Sequence, residues 1–427
     1  MKTKTIEYSR LNEKIFSYEH SSGLKVFVIP KKGYSKKYAT FSTHYGSINN
    51  SFVIPGESEV TNVPDGIAHF LEHKLFEQKD GSVMEKFSAL GSNPNAYTSF
   101  NQTVYLFSCT DKFDENFRLL LNFVQNPFIT EESVEKEKGI IGQEIRMYDD
   151  DPGWRSFFNL LGSFYEKNPV SIDIAGTVES ISKINRDILY KCYNTFYHPS
   201  NMVIVVVGET EPSEVFKMVD QLIVQTGDKP EIKRIFPQDS PKIKRNYIEQ
   251  KLAVGMPIFQ MGFRDNRLDS RGIEALNHEV AIRILLDMIM GRSSELYNRL
   301  YDDGLINASF DTDYTLEENY AFSMFGGESR DPEAVRDRIA EEIRLIGKNG
   351  LDRNRFEQVK KAQMGKFLRQ LNSVERISNL FITVYFKGVY LFDYFDVYDR
   401  ISFEYIRDIF HEHFNLDNMA LSAVKPV

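Results

Sequence analysis

Ile181-Ser182, Arg186-Asp187-Ile188 and Tyr197-His198-Pro199-Ser200-Asn201-Met202 return in the same order as Ile401-Ser402, Arg407-Asp408-Ile409 and Phe414-Asn415-Leu416-Asp417-Asn418-Met419. The gaps between pieces differ by a few residues, and each piece alone is at chance level. The ordered set reads as an internal repeat. Its first copy runs into Met202-Val203-Ile204-Val205-Val206-Val207-Gly208, the longest apolar run of the chain, which has the length and β-branched content of a buried strand. The repeat implies two similar α+β domains of about 200 residues, each a mostly antiparallel sheet packed with helices.

Between the copies, residues 226–246 read as a linker, with Gly227, Pro230, Pro237 and Pro241 among charged and polar residues. The expected organisation is an N-terminal domain over 1–225 and a C-terminal domain over 247–427. A chain of 427 residues supports this division, because a single core rarely grows past roughly 250–300 residues.

In the first half, Leu24 to Pro30 and Tyr38 to Tyr45 read as strands. Gly66 to Glu77 fits a helix on its spacing of Ile67, Phe70, Leu71 and Leu75, with Asp65 as N-cap. A second helix follows Ser82, where Ser82-Val83-Met84-Glu85 has the form of a capping box, and stops at Gly91. Thr103 to Cys109 reads as a strand and Glu131 to Tyr148 as a long helix with Val134, Ile141 and Ile145 on one face.

The net charge of −9 argues against nucleic-acid binding, which needs a basic surface. Cys109 and Cys192 are too few for a disulfide framework and read as small buried hydrophobes of a reducing compartment. The first residues lack the apolar core of a signal peptide, and no apolar run approaches the ~20 residues that span a bilayer. The expected location is the cytoplasm.

His69-Phe70-Leu71-Glu72-His73 carries the chemistry. Four residues apart on a helix, the two histidines share a face with about 5–6 Å between their Cβ atoms, so both rings can meet one Zn²⁺ ion. Glu72 lies beside that face, placed to take a proton from water without ligating. A catalytic zinc needs a third protein ligand and an open position, and the best candidate is Glu144 on the helix from Glu131. Glu137 stands seven residues earlier, roughly 10 Å along the axis. It suits a catalytic supporting role, orienting a ligand or tuning its basicity.

These residues resemble the inverzincin family of pitrilysin, insulinase and the mitochondrial processing peptidase. The likeness covers nearly the whole chain and is nearest to small bacterial zinc-bearing subunits of the YmfH type. The family places a glutamate ligand seventy-odd residues after the motif, and Glu144 stands 71 after His73. Asn95-Ala96-Tyr97-Thr98 resembles the family's substrate-binding edge strand. The resemblance implies a zinc metallopeptidase acting on oligopeptides or a peptide precursor, with one zinc ion. It also implies an arginine and a tyrosine in the second half that hold the substrate. At those positions stand Tyr301 and Asn307, with Arg299 and Tyr314 nearby as possible stand-ins. If the pair is missing, the chain is half of an enzyme and needs a homologous partner that lacks the HxxEH motif. The alternative is a non-catalytic assembly subunit of the same fold, which has no need for His69, Glu72, His73 and Glu144 together.

The remaining residues that attract notice have plainer expectations. His198, Trp154 and the aromatic stretch Phe381 to Phe395 read as packing, and His411 and His413 diverge on a helix rather than form a second metal site.

Overall fold

Met202–Gly208 is buried at every position because it runs through the middle of a sheet. The computed structural model describes residues 2–224, 231–268 and 270–427. In its first sheet the strands are β1 (Lys2–Tyr8), β2 (Glu13–Glu19), β3 (Lys25–Pro30), β4 (Lys37–Thr43), β5 (Asn93–Thr98), β6 (Thr103–Cys109) and β7 (Met202–Gly208), in the spatial order β1-β2-β3-β7-β4-β6-β5. β7 pairs parallel to β3 and antiparallel to β4. β5 is an outermost strand, pairing antiparallel with β6 in the register Thr98 to Thr103.

The second sheet has β8 (Tyr247–Leu252), β9 (Ile258–Asp265), β10 (Asp311–Leu316), β11 (Ala321–Glu328) and β12 (Met419–Pro426), in the order β8-β12-β9-β11-β10. Here β12 pairs parallel to β8 and antiparallel to β9. The repeat read from the sequence falls on matching elements. A helix (Arg186–Phe196), a 3₁₀ turn (Pro199–Asn201) and β7 correspond to a helix (Phe403–His413), a turn (Leu416–Asn418) and β12. The two-domain α+β fold with antiparallel-rich sheets is thus as expected.

The compact units cross the boundaries drawn at 225 and 247. One unit contains Met1–Ile145, Asp173–Phe236 and Gln370–Phe386; the other contains Arg146–Ile172, Pro237–Arg369 and Lys387–Val427. The cause is side-chain burial. The helix Val374–Phe386 packs on β7 and β4, with Phe381 and Tyr385 each 4.9 Å from Phe27. The helix Pro152–Phe164 packs on β8, β9 and β12. Of the expected linker, 226–230 lie outside the described residues. Lys233–Arg234 is a short strand on Ser51–Val53, and Arg234 donates to the carbonyl of His44 and to Asn201 Oδ1.

A polar knot sits in the second unit at the end of β9. Asp265 is 6% exposed. Its Oδ2 accepts from the Tyr314 hydroxyl at 2.8 Å and lies 2.8 Å from His278 Nε2 and 3.2 Å from His413 Nδ1. Its Oδ1 accepts from the Arg267 amide, and His413 Nε2 meets Ser323 Oγ at 2.8 Å. Burial works against the Asp265 carboxylate, but the hydrogen bonds and charges of the two histidines outweigh it and hold its pKa well below the ordinary value.

His198 caps the 3₁₀ turn at Pro199, accepting from the Ser200 amide, and Trp154 stacks on Tyr148 at 4.7 Å. Both are packing residues, as expected. Among the described residues no helix is long and apolar enough to cross a membrane. Cys109 and Cys192 are buried free thiols.

Candidate metal centre

The motif lies on α1 (Ile67–Leu75). Its start differs from the expected one: the N-cap is Gly66, with φ 87°, and Asp65 instead accepts from Asn50 Nδ2 at 2.7 Å. Gly66 is required twice over. Its backbone is left-handed, and a Cβ there would stand 2.3 Å from the Ala175 carbonyl oxygen. That close approach fixes where the helix begins. The Ser82 cap is present, accepting from the Met84 amide.

The long helix α2 (Glu131–Asp150) supplies the carboxylates. His69 Nε2 lies 3.6 Å from Glu144 Oε1, and His73 Nε2 lies 3.7 Å from Glu144 Oε2. One ligand atom from each of His69, His73 and Glu144 can be chosen so that all lie within 4.8 Å of one another. These separations are too long for good hydrogen bonds. They approach the spacing of about 3.3 Å between neighbouring ligands of a tetrahedral ion with bonds near 2.0–2.1 Å. His69 Nδ1 is buried without a partner among the described residues. With Nδ1 left as the protonated nitrogen, Nε2 carries the free lone pair and faces Glu144, the side a metal ion would occupy. The residues present therefore fit a zinc ion.

The electrostatics treat the two histidines differently: His69 is held neutral, and the acidic surround favours a positive charge at His73. Burial, then the neighbouring His73, pushes the His69 pKa down to about 4, so this ring is neutral at pH 7. Burial also opposes the His73 cation, but the Glu137 hydrogen bond and the charges of Glu72, Glu137 and Glu144 raise its pKa above the ordinary value. A metal ion would take the place of that proton.

Glu137 Oε1 is 3.1 Å from His73 Nδ1. Its other oxygen, Oε2, accepts from Lys74 Nζ at 3.4 Å. Lys74 is fully buried and also donates to the Ser133 carbonyl and to Glu77. Sequence reading did not single out Lys74. The available signal was its place on the apolar stripe after Ile67, Phe70 and Leu71, where a lysine must find a buried anion.

Glu72 is 8% exposed. Thr98 Oγ1 donates to its Oε2 at 2.6 Å. Burial raises the Glu72 pKa, and the Thr98 hydroxyl partly offsets that rise. Of Asn95, Ala96, Tyr97 and Thr98 on β5, Thr98 reaches the histidine helix, while Asn95 Oδ1 accepts from the Ala96 amide.

The residues named as stand-ins in the second half are committed elsewhere. Tyr314 is 1% exposed and bonded to Asp265. Arg299 pairs with Glu342. Asn307 donates to Glu328 at 2.7 Å, and Tyr301 is half exposed and stacked on Tyr297.

Residues 57–178 match the family model described as Insulinase (Peptidase family M16), and residues 183–363 match the Peptidase M16 inactive domain. The chain is 43% identical to the uncharacterized zinc protease YmfH of Bacillus subtilis (strain 168), over 99% of each chain. It is 29% identical to the mitochondrial-processing peptidase subunit beta of Caenorhabditis elegans, over 40% of this chain and 38% of that one. Its fold superposes on the crystal structure of an M16-like peptidase from Alicyclobacillus acidocaldarius with a TM-score of 0.94 and 34% identity, covering 99% of this chain and 100% of the other.

Proposed function

The chain belongs to peptidase family M16, the insulinase family of zinc proteases, and from that premise we propose that it hydrolyses peptides with His69, His73 and Glu144 as the ligands of one zinc ion. The carrying observation is the meeting of those three side chains on α1 and α2 with Glu72 beside them. When bound, zinc supplies a Lewis acid that polarises the scissile carbonyl and acidifies water toward a pKa of about 7.

Glu72 takes the proton of the attacking water and returns it to the leaving amine. Its raised pKa suits both steps, because a base closer to the working pH also serves as an acid. Glu137 accepts from His73 Nδ1–H, which fixes the tautomer that presents Nε2. The open side of β5 offers its backbone to an extended peptide, so binding depends on main-chain pairing more than on side-chain identity. Oligopeptides and peptide precursors are the substrate class this edge suits.

Glu137→Gln should weaken zinc binding by about 10–100-fold, the usual cost of losing a partner behind a ligand. Competition with a graded chelator measures it. Unchanged affinity would remove Glu137 from the site.

We further read the chain as the zinc-bearing subunit of a heterodimer, working in the cytoplasm. The support is that, in the register read from the sequence, Tyr301 and Asn307 stand where the family's arginine and tyrosine are expected, while Arg299 pairs with Glu342 at the surface and Tyr314 is bonded to Asp265. A relative whose name calls it a subunit points the same way. A quenched fluorescent peptide tests the reading with zinc-loaded protein, alone and mixed with a homologue lacking HxxEH. Cleavage in the mixture and little by the chain alone is the expected result. Full activity alone would refute the need for a partner. Zinc-loaded protein inactive in every mixture would favour the assembly-subunit alternative.

A further inference from the structure

Resting on the reading of Glu72 as the proton-transfer group, we propose that Thr98 is a positioning residue that aims the Glu72 carboxylate and ties its alignment to the substrate-binding edge. Thr98 is the last residue of β5. Its hydroxyl donates to Glu72 Oε2 at 2.6 Å, the length of a charge-assisted bond. The side-chain bond occupies Oε2 and leaves Oε1 to exchange the proton.

The hydroxyl hydrogens can be counted. Thr103, opposite Thr98 on β6, donates its one hydrogen to the Tyr45 carbonyl at 2.9 Å. Its oxygen lies 3.3 Å from Thr98 Oγ1. An ionised Glu72 only accepts, so the Thr98 hydrogen belongs to Glu72 and the Thr98–Thr103 contact need hold none. Thr103 is fully buried and part of β6. Because Thr98 is part of β5, its hydroxyl ties the carboxylate to the sheet rather than to its own helix. A peptide added to β5 would hold the backbone of the same residue whose side chain holds the base.

Thr98→Val keeps a β-branched strand residue and removes the hydroxyl; Thr98→Ser keeps the hydroxyl. Zinc-loaded full chains, with the partner present where cleavage requires it, are compared on a quenched fluorescent peptide, and both variants are crystallised with zinc. In Thr98→Val, kcat should fall about 10–100-fold, the range seen when an orienting partner is lost, with KM and zinc content unchanged. Thr98→Ser should recover most of kcat. The crystal of Thr98→Val should show the Glu72 carboxylate turned from its place beside β5. An unchanged kcat, a serine variant as poor as valine, or a Glu72 carboxylate that keeps its place in the valine crystal would each overturn the proposal. If wild type itself proves inactive, the peptidase reading fails, and the two crystals still decide whether Thr98 aims Glu72.

Discussion

Glu72→Gln is expected to keep its zinc and to lose about 10²–10⁴-fold in kcat, the usual contribution of a positioned general base. Glutamine is nearly isosteric, and its amide oxygen can still accept from the Thr98 hydroxyl, so the helix and its cap should survive. Glu72 is outside the set of ligand atoms that converge, so metal content should not change. What disappears is the capacity to take a proton. The measurement is kcat on a fluorogenic peptide, with the partner present where cleavage requires it, beside zinc quantitation of the same preparation. More than a tenth of wild-type turnover would remove Glu72 from the proton transfer. Loss of zinc together with activity would instead make it a metal ligand.

The second large effect concerns stability. Asp265→Ala should destabilise the second unit by about 3–5 kcal/mol, because it leaves His278, His413 and the Tyr314 hydroxyl without their buried anion. Trp154 is the single tryptophan of the chain and belongs to that unit, so its fluorescence during denaturation reports the relevant transition. The sign of the pH effect follows from the depressed carboxylate. A group whose folded pKa lies below its unfolded value of about 3.9 stabilises above that value and loses the contribution as pH falls through the folded pKa. The gap between wild type and variant should therefore narrow as pH drops below about 4. A loss smaller than about 1 kcal/mol at pH 7 would mean that the network relaxes without its anion.

The sequence was most informative where chemistry is local. Two histidines four apart and a glutamate between them need only a helix to be understood, and the spacing of Glu137 and Glu144 needs only a second one. The paired tails ending in Met202 and Met419 announced the repeat, and both run into strands with the same neighbours. Contacts made across the fold were less visible. Thr98 lies 26 residues from Glu72, and nothing in local spacing shows that its hydroxyl points there. Asp65 has the right chemistry for an N-cap, but the approach of the Ala175 carbonyl hands that position to Gly66. The aromatic spacing near Phe381 marks a buried helix face without saying that Phe27 lies beneath it.

The borrowed helix Val374–Phe386 sets an order of events during synthesis. The unit that holds His69, His73 and Glu144 lacks part of its own core until residue 386 has been made, long after its last ligand has left the ribosome. A chain released after residue 236 carries His69, His73, Glu144 and all seven strands of the first sheet, but not the helix that packs on β4 and β7. In the proposed zinc-bound state, metal capture by the finished site would wait on nearly the entire translation product. For the same reason, a protease that nicks the segment between the repeats produces two fragments that still share a core, each holding a helix the other needs.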